Sequence, residues 1–201
     1  MSGLVPDRFF SARQLAFSHP GRPVLAGLSF TLQPGLTLLR GGEGRGKTSL
    51  LRLMADSLLP SGGSAHRAAE TIYFDTPDDP AHDAVVARTW LDARRSASWQ
   101  AEVELDLIER MGLAAHIDKP MFMLSTGSRR KVGLVAAAAS GAALTLIDTP
   151  FAALDASSCR VLAAVLAEAA ARTDRAWVIA DYGCPPSLVG LPFSAVIDLG
   201  D

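Results

Sequence analysis

Apolar positions along this chain fall into short runs separated by stretches with helical spacing. Phe10 to Phe17 and Leu25 to Leu32 are two β-like runs, with the turn-rich SHPGRP between them and Gln33, Pro34 and Gly35 closing the second. They predict an antiparallel layer at the N-terminal side. Thr37, Leu38 and Leu39 read as a buried parallel strand, and beyond GGEGRGKT the residues Leu50, Leu51, Leu53, Met54 and Leu58 lie on or near one helical face. Pro60 to Ser64 reads as a turn and Thr71 to Phe74 as a short strand.

From Asp75 the character changes. Between Asp75 and Asp118 ten Asp or Glu face four Arg, and helical periodicity runs through Val85 to Arg95 and again through Trp99 to Met111. This predicts a small, mainly helical acidic lobe, about residues 75–131, inserted into a core made of 1–74 and 132–201, the whole forming a single domain over 1–201. Its charges read as a solvated face and its tryptophans as core, with a partner surface around Trp90, Trp99 and Met111 as the alternative. LSTGS then leads through Arg129, Arg130 and Lys131 into an Ala-rich helix, Val132 to Ala139. Three cations in a first helical turn oppose the helix dipole. A docked anion and plain solvation explain them about equally well.

LTLID, Leu144 to Asp148, is a second buried strand ending in a carboxylate. An amphipathic helix over Ser157 to Ala170 and strands at Ala176 to Ala180 and Ala195 to Leu199 complete the alternation. The fold class is therefore α/β, with a mostly parallel sheet and helices on both faces.

At 201 residues, 49% hydrophobic and 20% charged, the chain can bury one substantial core. No run approaches the roughly 18 to 20 apolar residues of a membrane helix, and MSGLVPDRFF lacks the pattern of a signal peptide. A cytoplasmic location is expected. Cys159 and Cys184 have no metal-ligand spacing and read as reduced structural thiols. A net charge of -2 argues against a nucleic-acid partner.

The strongest chemical signal is Gly41 to Thr48, which fits G-x-x-x-x-G-K-[ST] between a strand and a helix. Gly41, Gly42, Gly44 and Gly46 let backbone N–H groups converge on an anion, with Glu43 and Arg45 between them. Lys47 supplies a charge for β- and γ-phosphates, and Thr48 a hydroxyl for Mg²⁺. Asp148, at the end of a buried strand downstream, stands where such folds hold the same ion. A nucleotide with Mg²⁺ is the expected ligand, and the resemblance below implies that the nucleotide is ATP.

With the phosphate loop, LSTGS, LTLID and FAALD in that order, nearly the whole chain resembles the ATP-binding subunit of ABC transporters, a P-loop NTPase fold with an N-terminal antiparallel layer and an inserted helical lobe. Gly41 to Thr48 matches Walker A, Leu124 to Ser128 loosely matches the LSGGQ signature, Leu144 to Asp148 matches Walker B and Ala153 to Asp155 the D-loop. Within the family, LSTGSRRKVGL followed by DTPFAALD looks most like the heme-exporter ATPases of cytochrome c biogenesis. The resemblance implies that His19 stands where an aromatic residue stacks on adenine. It implies that Ser125 and Gly127 cap ATP held by a second ABC ATPase chain, in a homo- or heterodimer. It also implies an integral membrane transporter subunit as partner and a peripheral position at the inner face of the cell membrane.

Three departures affect hydrolysis. The residue after the Walker B Asp is usually Glu, and here it is Thr149. The usual Gln after Thr71 to Phe74 is replaced by Asp75 or Thr76, which makes Asp75 a candidate Mg²⁺ ligand. The usual His after Ala176 to Ala180 is replaced by Asp181 or Tyr182. A hydroxyl is no general base near neutral pH, so slow turnover is expected unless Asp181 or Asp75 substitutes. Lys47, Asp148, Thr149 and Asp181 are the candidate catalytic positions. A non-transport, regulatory ATP switch is the alternative function.

Overall fold

The computed structural model describes residues 9–69, 72–74, 77 and 79–201. Its elements in chain order are β1 (Phe10–His19), β2 (Arg22–Thr31), β3 (Gly35–Arg40), α1 (Lys47–Met54), β4 (Gly62–Arg67), β5 (Ile72–Tyr73), α2 (Ala87–Asp92), α3 (Ala101–Arg110), α4 (Thr126–Ala139), β6 (Leu144–Asp148), α5 (Ala156–Ala170), β7 (Ala176–Asp181) and β8 (Ala195–Asp198). Single 3₁₀ turns lie at Pro80–His82, Met121–Met123 and Pro186–Leu188.

A five-stranded parallel sheet, in the order β5-β6-β7-β3-β8, forms the centre. Strand alternation sends each strand's side chains to two cores. Leu36, Leu38, Ile147, Trp177 and Ile179 face α4, α5 and the helical lobe, where Trp90, Leu91 and Leu107 are buried. Leu39, Leu144, Leu146, Val178 and Ala180 face the other way, onto Leu50, Leu51, Leu53 and Met54 of α1 and onto Phe10 and Leu15 of β1. Each such fully buried leucine contributes about 1.5–3 kcal/mol. Both cores therefore pack against the same sheet, one on each face. Trp90 is core, as expected, and the guanidinium of Arg94 lies 3.4 Å over its ring.

A second sheet, β2-β1-β4, is antiparallel. The expected six-residue turn between the first two strands is shorter, because β1 runs to His19 and β2 starts at Arg22. Gly21, at φ 76°, makes the two-residue turn possible. The third strand corrects the reading of Pro60 to Ser64 as a plain turn. GGSAHR has no β-branched residue, yet it pairs with the free edge of β1, Phe10 opposite Arg67 and Ala12 opposite Ala65. Gln14 is in the left-handed region where the pairing slips. Gly63 sits against it, so close that a Cβ would come 2.1 Å from the Gln14 carbonyl oxygen.

The basic turn after LSTGS is also corrected. The helix begins at Thr126, ahead of the cations, and all three turn inward onto their own chain. Arg129 donates to the Met121 carbonyl and to Asp83, Arg130 to the carbonyls of Asp148 and Thr149, and Lys131 to the Met111 carbonyl and Asp155. Neither an anion nor solvent alone accounts for them. They tie α4 to three loops.

Candidate functional site

Three strand ends of the parallel sheet and the hairpin of the antiparallel layer meet around a cavity of about 440 Å³. The loop Glu43–Ser49 is its floor, His19, Arg22 and Val24 of the hairpin are one wall, and Asp148, Thr149 and Tyr182 the other. The loop's shape is fixed by contacts that leave no room for side chains. Gly46 caps α1 at φ 94°, and a Cβ there would lie 2.7 Å from both Leu25 and Val24. Gly42 donates its N–H to the Gly200 carbonyl, 2.8 Å away. The α1 N-terminus carries no side-chain cap and no acidic residue in its first turn, so its N–H groups and dipole remain open to an anion.

Lys47 is buried, and its ammonium donates to the carbonyls of Gly41 and Gly42 at 2.6 and 2.7 Å. The Tyr182 ring lies over it at 4.4 Å. The Thr48 hydroxyl donates to Asp148 Oδ2 at 2.5 Å. These two hard oxygen donors at one lip of the phosphate cavity fit Mg²⁺, which is bound by few protein oxygens together with phosphate and water. Among the described residues there is no cluster of three or more His, Cys, Asp or Glu able to hold a metal. Asp75, the expected third ligand, and Thr76 lie outside the described residues.

Thr149 follows directly on β6. Its N–H donates to the Ala180 carbonyl at 2.7 Å and its φ is 43°, in a region β-branched residues avoid. Arg130 holds it from behind, with Nη1 2.8 Å from the carbonyls of both Asp148 and Thr149 and 3.4 Å from Thr149 Oγ1. Asp181 does not line the cavity; its Oδ1 accepts the N–H of Tyr182. The tyrosine takes the place at the cavity wall.

Ser125 and Gly127 do not line this cavity either. Ser125 caps α4 by accepting the Ser128 N–H. Gly127 lies so close to the loop before α5 that a Cβ would meet the Ala153 carbonyl oxygen at 2.4 Å. Next to it, Lys131 first, then the Ser157 hydroxyl and the Ser158 N–H, hold the Asp155 carboxyl far below the usual carboxylate range. His19 is exposed, with its ring edge-on to Phe17 at a centroid distance of 4.9 Å. Arg22 and Val24 were not anticipated as wall residues. The one available signal was Arg22 lying three residues beyond His19 across a tight Pro-Gly turn.

The chain matches the ABC transporter family over residues 25–152. Among curated proteins it is 38% identical to the cytochrome c biogenesis ATP-binding export protein CcmA of Paramagnetospirillum magneticum, over 81% of this chain and 82% of that protein. It is 31% identical to the protein of the same name from Hyphomonas neptunium, over 78% and 81%. Among solved structures it resembles a Pyrococcus furiosus protein described as an ABC transporter ATP-binding protein, with a TM-score of 0.75 at 21% identity, covering 94% of this chain and 96% of that one. The phosphate loop, the paired Thr48 and Asp148, the LSTGS cap and these relatives agree, and the chain belongs to the ABC transporter family as an ABC-type ATPase domain that binds ATP.

Proposed function

We propose that this chain is the nucleotide-binding subunit of an export system of the cytochrome c biogenesis branch. It holds Mg-ATP in the cavity between Gly41–Thr48 and Asp148, and turns it over slowly. The observation that carries this reading is the combination of an intact phosphate-binding side with Thr149 at the position that needs a proton acceptor. Gly41 to Gly46 and the α1 N-terminus surround the phosphates, Lys47 neutralises them, and His19 stacks on the base. Thr48 and Asp148 would hold Mg²⁺, which when bound offsets charge on the β- and γ-phosphate oxygens. The Thr149 hydroxyl accepts no proton near neutral pH, so the attacking water is oriented without a base. The missing step is worth about 10²- to 10⁴-fold.

The relatives named for export support an integral membrane partner, with this chain peripheral at the cytoplasmic face of the membrane. No helix among the described residues is long and apolar enough to cross a membrane, and in this reading a partner chain supplies the membrane-spanning part. Ser125 and Gly127, which do not line their own cavity, close the nucleotide of a second ABC chain from the positive end of α4.

The test is binding and steady-state hydrolysis of Mg-ATP by the purified chain, with Lys47→Ala as the binding-dead control and Thr149→Glu as the restored base. Binding that requires Lys47, little phosphate release, and a rise in turnover of about 10²-fold or more in Thr149→Glu are expected. Ordinary turnover in the unaltered chain, or none gained by Thr149→Glu with nucleotide still bound, refutes the slow-hydrolysis reading.

A further inference from the structure

Asp148 is the last residue of β6, opposite Ala180 of β7, and the chain leaves the sheet at Thr149. The carboxylate accepts the Thr48 hydroxyl in front, while its own carbonyl and that of Thr149 point back into the protein. Both carbonyls are taken by a single nitrogen, Nη1 of Arg130, at 2.8 Å each. Charge-assisted bonds of this kind are about twice as strong as neutral ones. Thr149 is at φ 43°, which a β-branched residue does not hold unless its surroundings impose it. Arg130 is the side chain that engages both residues at once. It comes from the second turn of α4, whose N-cap is Ser125 of the LSTGS loop.

We propose that Arg130 is a positioning residue for the Mg²⁺ site: it fixes the Asp148–Thr149 backbone so that Asp148 Oδ2 and Thr48 Oγ1 present one pair of oxygens to the ion. The inference rests on the reading of Thr48 and Asp148 as the Mg²⁺ pair. It deepens that reading by placing the support of the pair on the helix of the LSTGS loop. A shift of α4 then moves the lip of the chain's own cavity.

The experiment is calorimetric binding of a non-hydrolysable ATP analogue to the full chain with and without Mg²⁺, so that the Mg²⁺-dependent gain in affinity is read apart from phosphate binding. Three proteins are compared: the unaltered chain, Arg130→Met and Arg130→Lys. Arg130→Met is expected to keep the Mg²⁺-free affinity, which also reports that it folds, and to lose about 10- to 100-fold of the Mg²⁺-dependent gain, the usual cost of removing a group that orients a metal ligand. Arg130→Lys keeps the charge but not the planar fork, and is expected to lose less. An undiminished gain in Arg130→Met overturns the role of Arg130, and if that variant does not fold, an undiminished gain in Arg130→Lys does so. Absence of any Mg²⁺-dependent gain in the unaltered chain overturns the Mg²⁺ pair itself, and the proposal with it.

Discussion

Gly127 offers a test that needs no nucleotide and no second chain. A methyl group there comes 2.4 Å from the Ala153 carbonyl oxygen, whereas real Cβ contacts stay above 3.0 Å. The obstacle is backbone, so the loop must retreat by about half an ångström or more. That loop is poorly placed to give. Ala153 is in the left-handed region at φ 60°, its neighbours Ala152 and Leu154 donate to the carbonyls of Thr149 and Phe151, and Asp155 is gripped by Lys131. Overpacking against a held neighbour costs about 1–3 kcal/mol. Better helix propensity returns up to about 1 kcal/mol, and less so near a helix start. Gly127→Ala should therefore destabilise the isolated chain by about 1–2 kcal/mol, or roughly 2–8 °C in Tm for a domain of this size. Thermal unfolding followed by circular dichroism measures it. Gly183→Ala is the reference, because nothing lies within 4 Å of its added methyl, and it should change stability by less than about 0.5 kcal/mol. A Gly127→Ala protein as stable as Gly183→Ala would refute the packing argument and leave the glycine to a role between chains.

Two further outcomes follow from the same geometry. The Asp155 carboxyl is held far below its ordinary value chiefly by Lys131, so its stabilisation is complete above about pH 4 and fades as pH falls below that; urea unfolding of Lys131→Met should show a shallower loss of stability on acidification, and an unchanged pH profile would dismiss the pair, which is half-exposed and worth about 1 kcal/mol at most. His19→Ala should weaken ATP binding by roughly 1–3 kcal/mol, the range for base stacking, while leaving pyrophosphate binding unchanged, and calorimetry with both ligands separates the two.

The phosphate-binding side was legible because every residue it needs is local. Gly41 to Thr48 is one turn between one strand and one helix, so the motif reads as a unit, although the atoms that crowd Gly41, Gly42 and Gly46, from Leu199 to Asp201 and from Val24 and Leu25, are far away in sequence. Asp148 was legible for a different reason, as the polar end of an apolar run. What escaped depends on long-range pairing. Strand β4 exists because β1 had an unpaired edge and a kink at Gln14 that Gly63 fits, and nothing in GGSAHR announces a strand. The three cations of α4 looked like an external charge because their acceptors, Asp83, Met111, Met121, Asp148, Thr149 and Asp155, are scattered over the chain. Asp181 and Tyr182 could not be told apart on sequence, since one residue of register decides which faces the cavity.

The sheet order has a consequence for how the site comes into being. β3, which leads into the phosphate loop, lies between β7 and β8, the last two strands of the chain, and Gly42 rests on Gly200. A ribosome delivers Val24, Leu25 and Gly41 to Thr48 early, but β7, β8 and Gly200, which flank β3 and hold Gly42, follow only after the intervening strands and helices. The nascent chain therefore carries its nucleotide motif through the synthesis of β4, β5 and β6 and their helices without a complete nucleotide site. ATP can act as a ligand that stabilises the finished domain, and not as a template on which the domain is begun.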